Sequence, residues 1–253
     1  MAFPLNVDVP MNRLPVANWV LLAIILIVST WWLAHRPHPP PPPPLLPEEA
    51  PEVPEEVHYR DWFKQFLARV KKEPPAPPLA LNPDHFSPWQ LLTFDLVHND
   101  VWHLVGSMLF LFCFGNAINA KLGHLPFLVL FFGMGTLAGL LWLALGADKP
   151  LVGSAGAVMG VLGVFLVFYP KNNVRLATFG LTGLATRERP AILFVALGMA
   201  SDLVGSILSP FGAMDYLCHL LVEVSGILVA IGLLLAGWAH SPHYEQNLLQ
   251  VFG

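Results

Sequence analysis

Charge is the property that this sequence lacks most. Only 12% of its 253 residues are Asp, Glu, Lys or Arg, against ~25% in an average soluble domain, and 55% are hydrophobic. This imbalance excludes an ordinary soluble domain and indicates a membrane protein. The net charge of -4 leaves no basic excess of the kind that nucleic-acid binding requires.

Cysteine is nearly absent as well. Cys113 and Cys218 both lie inside apolar runs, which excludes a disulfide framework and a cysteine-based zinc site. A cleavable signal peptide is not expected either. The first apolar run begins near Val16 and extends for about 19 residues, which is enough to cross a bilayer and to remain in the chain.

Six apolar segments are present instead, and they predict an all-α membrane protein with a bundle of six transmembrane helices. Trp31 and Trp32 at the end of the first segment are typical of an aromatic belt at the membrane interface. Pro126 lies in the first turn of the third segment, where its missing N–H is harmless, and Pro170 ends the short fourth segment. The segments are 16–34, 101–118, 125–146, 154–169, 190–208 and 214–237.

Basic residues predict the orientation in the membrane. With a cytoplasmic N-terminus, six of the seven Lys and Arg residues outside the long first loop fall on the cytoplasmic side, and Lys149 falls outside. We therefore predict a multi-pass protein of the plasma membrane, with cytoplasmic termini at 1–15 and 238–253. The six cytoplasmic residues are Arg13, Lys121, Lys171, Arg175, Arg187 and Arg189.

The long first loop divides into two parts. Residues 35–57 contain six consecutive prolines followed by acidic residues, which is typical of a stiff, solvated spacer. Within residues 58–100, the sequence HYRDWFKQFLARVKKE predicts an amphipathic helix. Two interpretations stay open, one in which this helix lies in the membrane surface and one in which it packs on the bundle. Its apolar face is formed by Trp62, Phe63, Phe66, Leu67 and Val70.

Polar side chains interrupt three of the apolar segments. Ionisable groups at bilayer depth are expensive and mark function by default. On the second and sixth segments these polar residues are spaced four apart, and residues at that spacing share a helical face. The sets are His103 and Ser107 on the second segment, Ser201 and Asp202 on the fifth, and Asp215, His219 and Glu223 on the sixth.

The predicted orientation brings the second, fourth and sixth segments across the membrane in the same direction. His103 then lies near the outer end of the second segment, at a depth similar to that of Ser154 and Ala155 at the start of the fourth. His219, early in the sixth segment, lies at a similar depth. We expect them to surround a hollow that is open to the outside. Taken singly, each is also explained as a satisfied hydrogen-bond partner or as packing.

Small residues are concentrated in the stretch PLVGSAGAVMGVLG at the start of the fourth segment. Glycines four residues apart, as Gly156 and Gly160 are, let helix backbones approach closely. We predict packing positions at Gly153, Gly156 and Gly160, and at Gly226 on the sixth segment.

Three motifs carry a family resemblance. HNDVWHLVGSMLFLFCFGNAINAKLGHLPF, GSAGAVMG and YLCHLLVEVSG occur in this order on the second, fourth and sixth segments. They resemble the second helix, the nucleophile motif and the catalytic-histidine helix of the rhomboid family of intramembrane serine proteases. The resemblance extends from about Phe86 to Gly237 and implies a rhomboid-like bundle with helices two to six at 101–237.

The resemblance also implies a chemistry and its residues. In the family, histidine accepts the proton of a serine that attacks a peptide carbonyl, and no cofactor or metal takes part. By position, His219 is the implied base, and His103 and Ser107 are the implied oxyanion donors. Ala155 occupies the nucleophile position, and removal of such a serine lowers turnover by about a millionfold.

Several other positions depart from the family pattern. They are Ser107 in place of Asn, Gln90 in place of Arg, Asn119 in place of an acid, Leu221 and Val222 in place of small residues, and Glu223 as an added carboxylate. Ala155 is either natural or an introduced replacement of serine, since G-S-S-G would also fit the family, and the other departures argue against a replacement as the whole explanation.

Three functional hypotheses follow. The first is a catalytically impaired rhomboid-fold protein, a pseudoprotease that binds transmembrane segments of other proteins in the lipid bilayer. The second is an active protease that uses Ser154, the neighbour of the expected nucleophile, with His219. The third is a metal or proton site in a transporter-like bundle, formed by Asp215, His219, Glu223, His103 and His98.

Overall fold

The computed structural model describes residues 2–37, 76–180, 183–209, 212–239 and 246–252, and the side chains of 2, 3, 178–180, 183 and 184 are excepted. The amphipathic helix predicted within 58–73 and most of the spacer predicted at 35–57 lie outside the described residues. In chain order, the elements are β1 (Ala2–Val7), α1 (Val16–His35), α2 (Gln90–Thr93), α3 (Val101–Leu122), α4 (His124–Ala144), α5 (Ala155–Phe168), β2 (Asn173–Gly180), β3 (Gly183–Pro190), α6 (Ala191–Leu208), α7 (Ala213–Leu235) and α8 (Leu248–Phe252).

The predicted fold class is confirmed, because the described chain is mostly helical and apolar. The six predicted segments correspond to α1, α3, α4, α5, α6 and α7. Among the described residues, five of these helices are long and apolar enough to cross a membrane. The sixth, α5, has 14 residues, fewer than the ~20 that a full span requires.

Helix α3 has a defined start and an irregular middle. Asp100 caps its N-terminus, and the Asp100 Oδ1 accepts the N–H of His103 at 2.9 Å. A single π-helical turn follows at Leu111–Gly115. The Asn18 Nδ2 of α1 donates to the carbonyl of Leu111 at 2.9 Å, and the absent side chain of Gly115 leaves room for it. A polar group from a neighbouring helix inserted at this level accounts for the irregular turn.

Helix α5 forms the centre of the bundle and packs most closely against α7. A Cβ added at Gly226 would overlap the carbonyl oxygen of Gly160, so the two backbones touch there. On the other side, a Cβ at Gly156 would lie 2.5 Å from the Cβ of Ala138 on α4. Glycine at these positions is therefore a steric requirement of the helix contacts.

A three-stranded antiparallel sheet, with strand order β1-β2-β3, was not expected from the sequence. β2 and β3 form a hairpin between α5 and α6, and β1 comes from the N-terminus with a register shift between Pro4 and Asn6. One face carries Val7, Val174 and Leu176, which are buried in the core. The sheet packs against α3 and α6.

Two backbone pairings show which connections lie at each end of the bundle. The N-terminal β1 pairs with the connection between α5 and α6. At the opposite end, Leu81 of the first loop pairs with Leu151 of the connection between α4 and α5. The first loop thus lies at one end of the bundle, and the N-terminal strand lies at the other.

Candidate functional site

A cavity of about 520 Å³ opens where α3, α4, α5 and α7 meet the first loop. His103, Ala155 and His219 all line it, so three helices bring these predicted positions together. Asp215, one turn before His219 on α7, lines it as well. Trp142, Phe94 and Tyr216 supply aromatic walls.

The turn into α5 positions its first residues at this cavity. Gly153 has a φ of +99°, a left-handed conformation that glycine adopts without strain. A Cβ at Gly153 would lie 2.6 Å from the Cε1 of His103, so the absent side chain also makes room for the imidazole. Ala155 then begins the helix with its methyl group at the cavity, and the positive end of the helix dipole faces the same space.

Ser154 faces a different neighbour. Its side chain is fully buried, and its Oγ lies 3.4 Å from the Nε2 of His98, which also accepts the Ser154 backbone N–H at 3.3 Å. Ser154 is not among the residues that line the cavity, and no hydrogen bond joins it to His219. The structure therefore does not bring Ser154 and His219 together as a dyad.

His98 links Ser154 to α1. Its Nδ1 lies 3.0 Å from the Oγ of Ser29, and Ser29 donates to the carbonyl of Leu96 at 3.2 Å. Because Nε2 accepts from a backbone N–H, the proton of the neutral ring is on Nδ1 and points at Ser29. Burial, with a smaller contribution from the neighbouring His103, lowers the pKa of His98 to about 3. The chain Ser29–His98–Ser154 is thus neutral and internally satisfied.

His98 also connects this buried chain to the cavity. Its ring meets the ring of His103 edge-on, with the centroids 5.0 Å apart. Sequence reasoning placed His98 only in the metal or proton hypothesis and missed its contacts with Ser29 and Ser154. His98 lies five residues before His103 in the sequence, but its partner on α1, Ser29, is 69 residues away.

The structure separates other predicted site residues from the cavity. Ser107 is buried one turn beyond His103 on α3 and does not line it. Glu223 is 1% exposed, and neither carboxylate oxygen has a hydrogen-bond partner among the described residues. Across the described chain, no group of three His, Cys, Asp or Glu side chains is arranged to hold a metal ion. The geometry therefore gives the metal hypothesis no support.

Comparison with known proteins gives the family. The Rhomboid domain family model matches residues 85–236, close to the range of the sequence resemblance. Rhomboid protein 1, mitochondrial, of Saccharomyces cerevisiae is 31% identical over 165 residues, which cover 62% of this chain and 44% of the yeast protein.

A second relative is bacterial. The putative rhomboid protease YdcA of Bacillus subtilis is 32% identical over 79 residues, which cover 31% of this chain and 40% of that protein. The chain matches less than half the length of each of these relatives. The family match itself covers more than half of this chain. The five helices of the described residues that are long and apolar enough to cross a membrane agree with it. The chain is a multi-pass integral membrane protein that belongs to the rhomboid family.

Proposed function

We propose that this protein is catalytically silent as its sequence stands and that it binds transmembrane segments of other membrane proteins. The observation that carries the proposal is the side chain of Ala155. It lines the cavity together with His103 and His219, and it offers a methyl group where a hydrolytic dyad needs an oxygen nucleophile. His219, the implied base, therefore has no hydroxyl to activate at this position.

The rival hypothesis, catalysis by Ser154, is less well supported. The Ser154 hydroxyl is directed at His98, behind the cavity wall. Adjacent positions on a helix are rotated by ~100°, so a rotation of the helix that exposes Ser154 would withdraw Ala155 and disturb the glycine contacts of α5. Both the backbone and the side chain of Ser154 would have to leave His98 for it to act on a substrate.

The proposed binding surface for a transmembrane segment is the side of the bundle along α3 and α6. Helix α6 is the least buried of the long helices, and, apart from Ser201, its exposed side chains are apolar. Phe194 of α6 contacts Phe110 and Phe114 of α3, with ring centroids 5.8 and 6.0 Å apart. These rings close the seam at one level. Beyond them, Trp102 and Ile207 are 79% and 71% exposed, which suits contact with another apolar helix.

The Ala155→Ser variant tests the catalytic part of this proposal. The full-length protein in liposomes is incubated with a labelled transmembrane peptide that contains a helix-destabilising segment, and cleavage is followed on gels. We expect no cleavage by the unmodified chain and measurable cleavage by Ala155→Ser, since a lost serine nucleophile accounts for about a millionfold in rate. A fluorophosphonate probe should label Ala155→Ser alone.

Three further variants give this experiment its controls. Ala155→Ser/His219→Ala should lose the recovered cleavage, while Ser154→Ala should behave like the unmodified chain. Adding Ser107→Asn to Ala155→Ser should raise cleavage by about a hundredfold if the longer amide supplies the oxyanion donor. Cleavage by the unmodified chain that disappears in Ser154→Ala would overturn the proposal and establish the rival.

Binding is measured separately from cleavage. A transmembrane peptide carrying a photo-crosslinker should be captured by the unmodified chain in liposomes, and an excess of unlabelled peptide should compete. We expect Ile207→Trp or Leu203→Trp, which add bulk to the exposed face of α6, to reduce capture. Ile27→Trp, on the exposed face of α1, is the matched control and should capture as much peptide as the unmodified chain. Capture that is unaffected by the α6 variants would contradict the proposed surface.

A further inference from the structure

The outer strand of the sheet presents two arginines beside the point where the chain enters the membrane. We propose that Arg187 and Arg189 bind the headgroup phosphate of an anionic phospholipid at this end of the bundle. This inference goes beyond the proposed function and does not depend on it.

The register places both arginines on the inner face of the sheet. In β2 and β3, Val174 lies opposite Arg189, and Leu176 lies opposite Arg187. Residues directly opposite each other in an antiparallel pair share a face. Val174 and Leu176 are buried against the bundle, so the arginine side chains leave the sheet on the side that faces the bundle.

Both arginines are nevertheless exposed. The whole of β3 from 185 to 190 is exposed, which means that this strand extends past the helices that cover β2. Neither guanidinium group has a hydrogen bond or an ion pair with any described residue. A binding partner of these two guanidinium groups would therefore lie beside the bundle, not inside it.

The chain connectivity fixes the level of the arginines relative to the bilayer. β3 ends at Pro190 and α6, a membrane-spanning helix, begins at the next residue. The Ala191 N–H donates to the carbonyl of Asn172 at 2.7 Å, which ties the base of the hairpin to the start of this helix. Arg189 is therefore two residues from the membrane entry, and Arg187 is two residues further along the strand. The layer beside a transmembrane helix at this level is the lipid headgroup region.

The chemistry of the two side chains fits a phosphate. Residues two apart in a strand are separated by about 7 Å, so two guanidinium groups on one face can converge on one anion. Arginine forms paired, charge-assisted hydrogen bonds with phosphate oxygens, and its long stem reaches along apolar surface to the headgroup level.

The third arginine of the hairpin is a natural control. Arg175 lies opposite Glu188 on the other face of the sheet, with its Nη2 2.9 Å from the Glu188 Oε1. Its charge is already partnered within the sheet, and it points away from the face that carries Arg187 and Arg189. Removing Arg175 changes the net charge of the hairpin as much as removing either proposed ligand.

The experiment uses the full-length protein in nanodiscs of phosphatidylcholine mixed with phosphatidylglycerol. The protein is then released from the nanodiscs, and native mass spectrometry measures the ratio of phosphatidylglycerol to phosphatidylcholine that stays bound to it. We expect Arg187→Gln and Arg189→Gln each to lower this preference about fivefold, since a basic residue near the membrane surface contributes ~1 kcal/mol toward anionic lipid. Arg175→Gln should leave it unchanged.

A charge-retaining variant and a soluble competitor complete the experiment. Arg187→Lys/Arg189→Lys retains both charges and should retain most of the preference, which separates charge from a folding defect. Soluble glycerol phosphate in excess should not displace the bound lipid. An unchanged preference in Arg187→Gln/Arg189→Gln, an equal loss in Arg175→Gln, or displacement by glycerol phosphate would each overturn the assignment.

Discussion

His98 is the residue through which α1, the first loop and the start of α5 are joined. Its ring accepts the Ser154 N–H and donates to Ser29, and it is fully buried. A protonated ring could not accept at Nε2, and its charge would be buried without a counter-ion. The neutral ring is therefore part of the folded structure.

This arrangement predicts a pH dependence of stability. The folded pKa of His98, about 3, lies below its ordinary value of 6.5. The stability that His98 contributes is thus fully present above pH 6.5 and is lost as the pH falls toward about 3. We expect the thermal midpoint in detergent to fall over this range more steeply for the unmodified protein than for His98→Gln. Parallel curves for the two proteins would show that His98 is not the group responsible.

Asp95 predicts a slope of the opposite sign. Burial raises its pKa well above 3.8, and neither carboxyl oxygen has a hydrogen-bond partner among the described residues. Stability from this group is therefore fully present below pH 3.8 and is lost as the pH rises through the folded pKa. The neutral Asp95→Asn variant should gain stability relative to the unmodified protein as the pH rises. The exposed Asp84→Asn provides the comparison and should show no such trend; a matching trend there would contradict the assignment to Asp95.

At the scale of elements, the contact between α5 and α7 depends on missing side chains. Gly226 of α7 meets the backbone of Gly160, whereas nothing lies within 4 Å of a Cβ placed on Gly232 of the same helix. We expect Gly226→Ala to destabilise the protein by about 3 kcal/mol, because two backbones must separate to admit one methyl group.

Gly232→Ala is the matched control on the same helix. It should be neutral or stabilising by ~1 kcal/mol, since alanine favours a helix over glycine. Unfolding in mixed micelles with increasing sodium dodecyl sulfate measures both variants. Similar effects of the two changes would mean that the close contact does not limit stability.

The helices could be predicted from the sequence to within a few residues, while the sheet could not. Long apolar runs report a helix directly, so the predicted segment 190–208 differs from α6 only at its start. The strands between α5 and α6 have eight residues each, and β1, which pairs with β2, lies far away along the chain. No local pattern encodes a pairing between Val7 and Val174.

The site was predictable in part for a related reason. Helix direction and depth suffice to bring His103, Ala155 and His219 toward one place, and all three line the cavity. The direction of a single side chain at a helix start depends on the local turn. The positive φ of Gly153 and the acceptor on His98 together turn Ser154 toward the first loop, and neither is visible in the sequence.

At the scale of the whole molecule, the strand pairings sort the connections into two groups. The N-terminal residues and the hairpin between α5 and α6 form one group through the sheet. The first loop and the connection between α4 and α5 form the other through Leu81 and Leu151. An integral membrane protein with this arrangement has the two groups on opposite sides of the bilayer.

Single cysteines test both this grouping and the predicted cytoplasmic N-terminus. Asn12→Cys and Thr186→Cys report on one group, and Asp84→Cys and Asp148→Cys on the other; all four positions are exposed. The native Cys113 and Cys218 are buried, so the unmodified chain gives the background of labelling. In intact spheroplasts, a membrane-impermeant maleimide should label Asp84→Cys and Asp148→Cys, and should label the other two variants only after permeabilisation. The inverse pattern would keep the grouping but reverse the orientation that the basic residues predict, whereas labelling of one member from each group would contradict the fold itself.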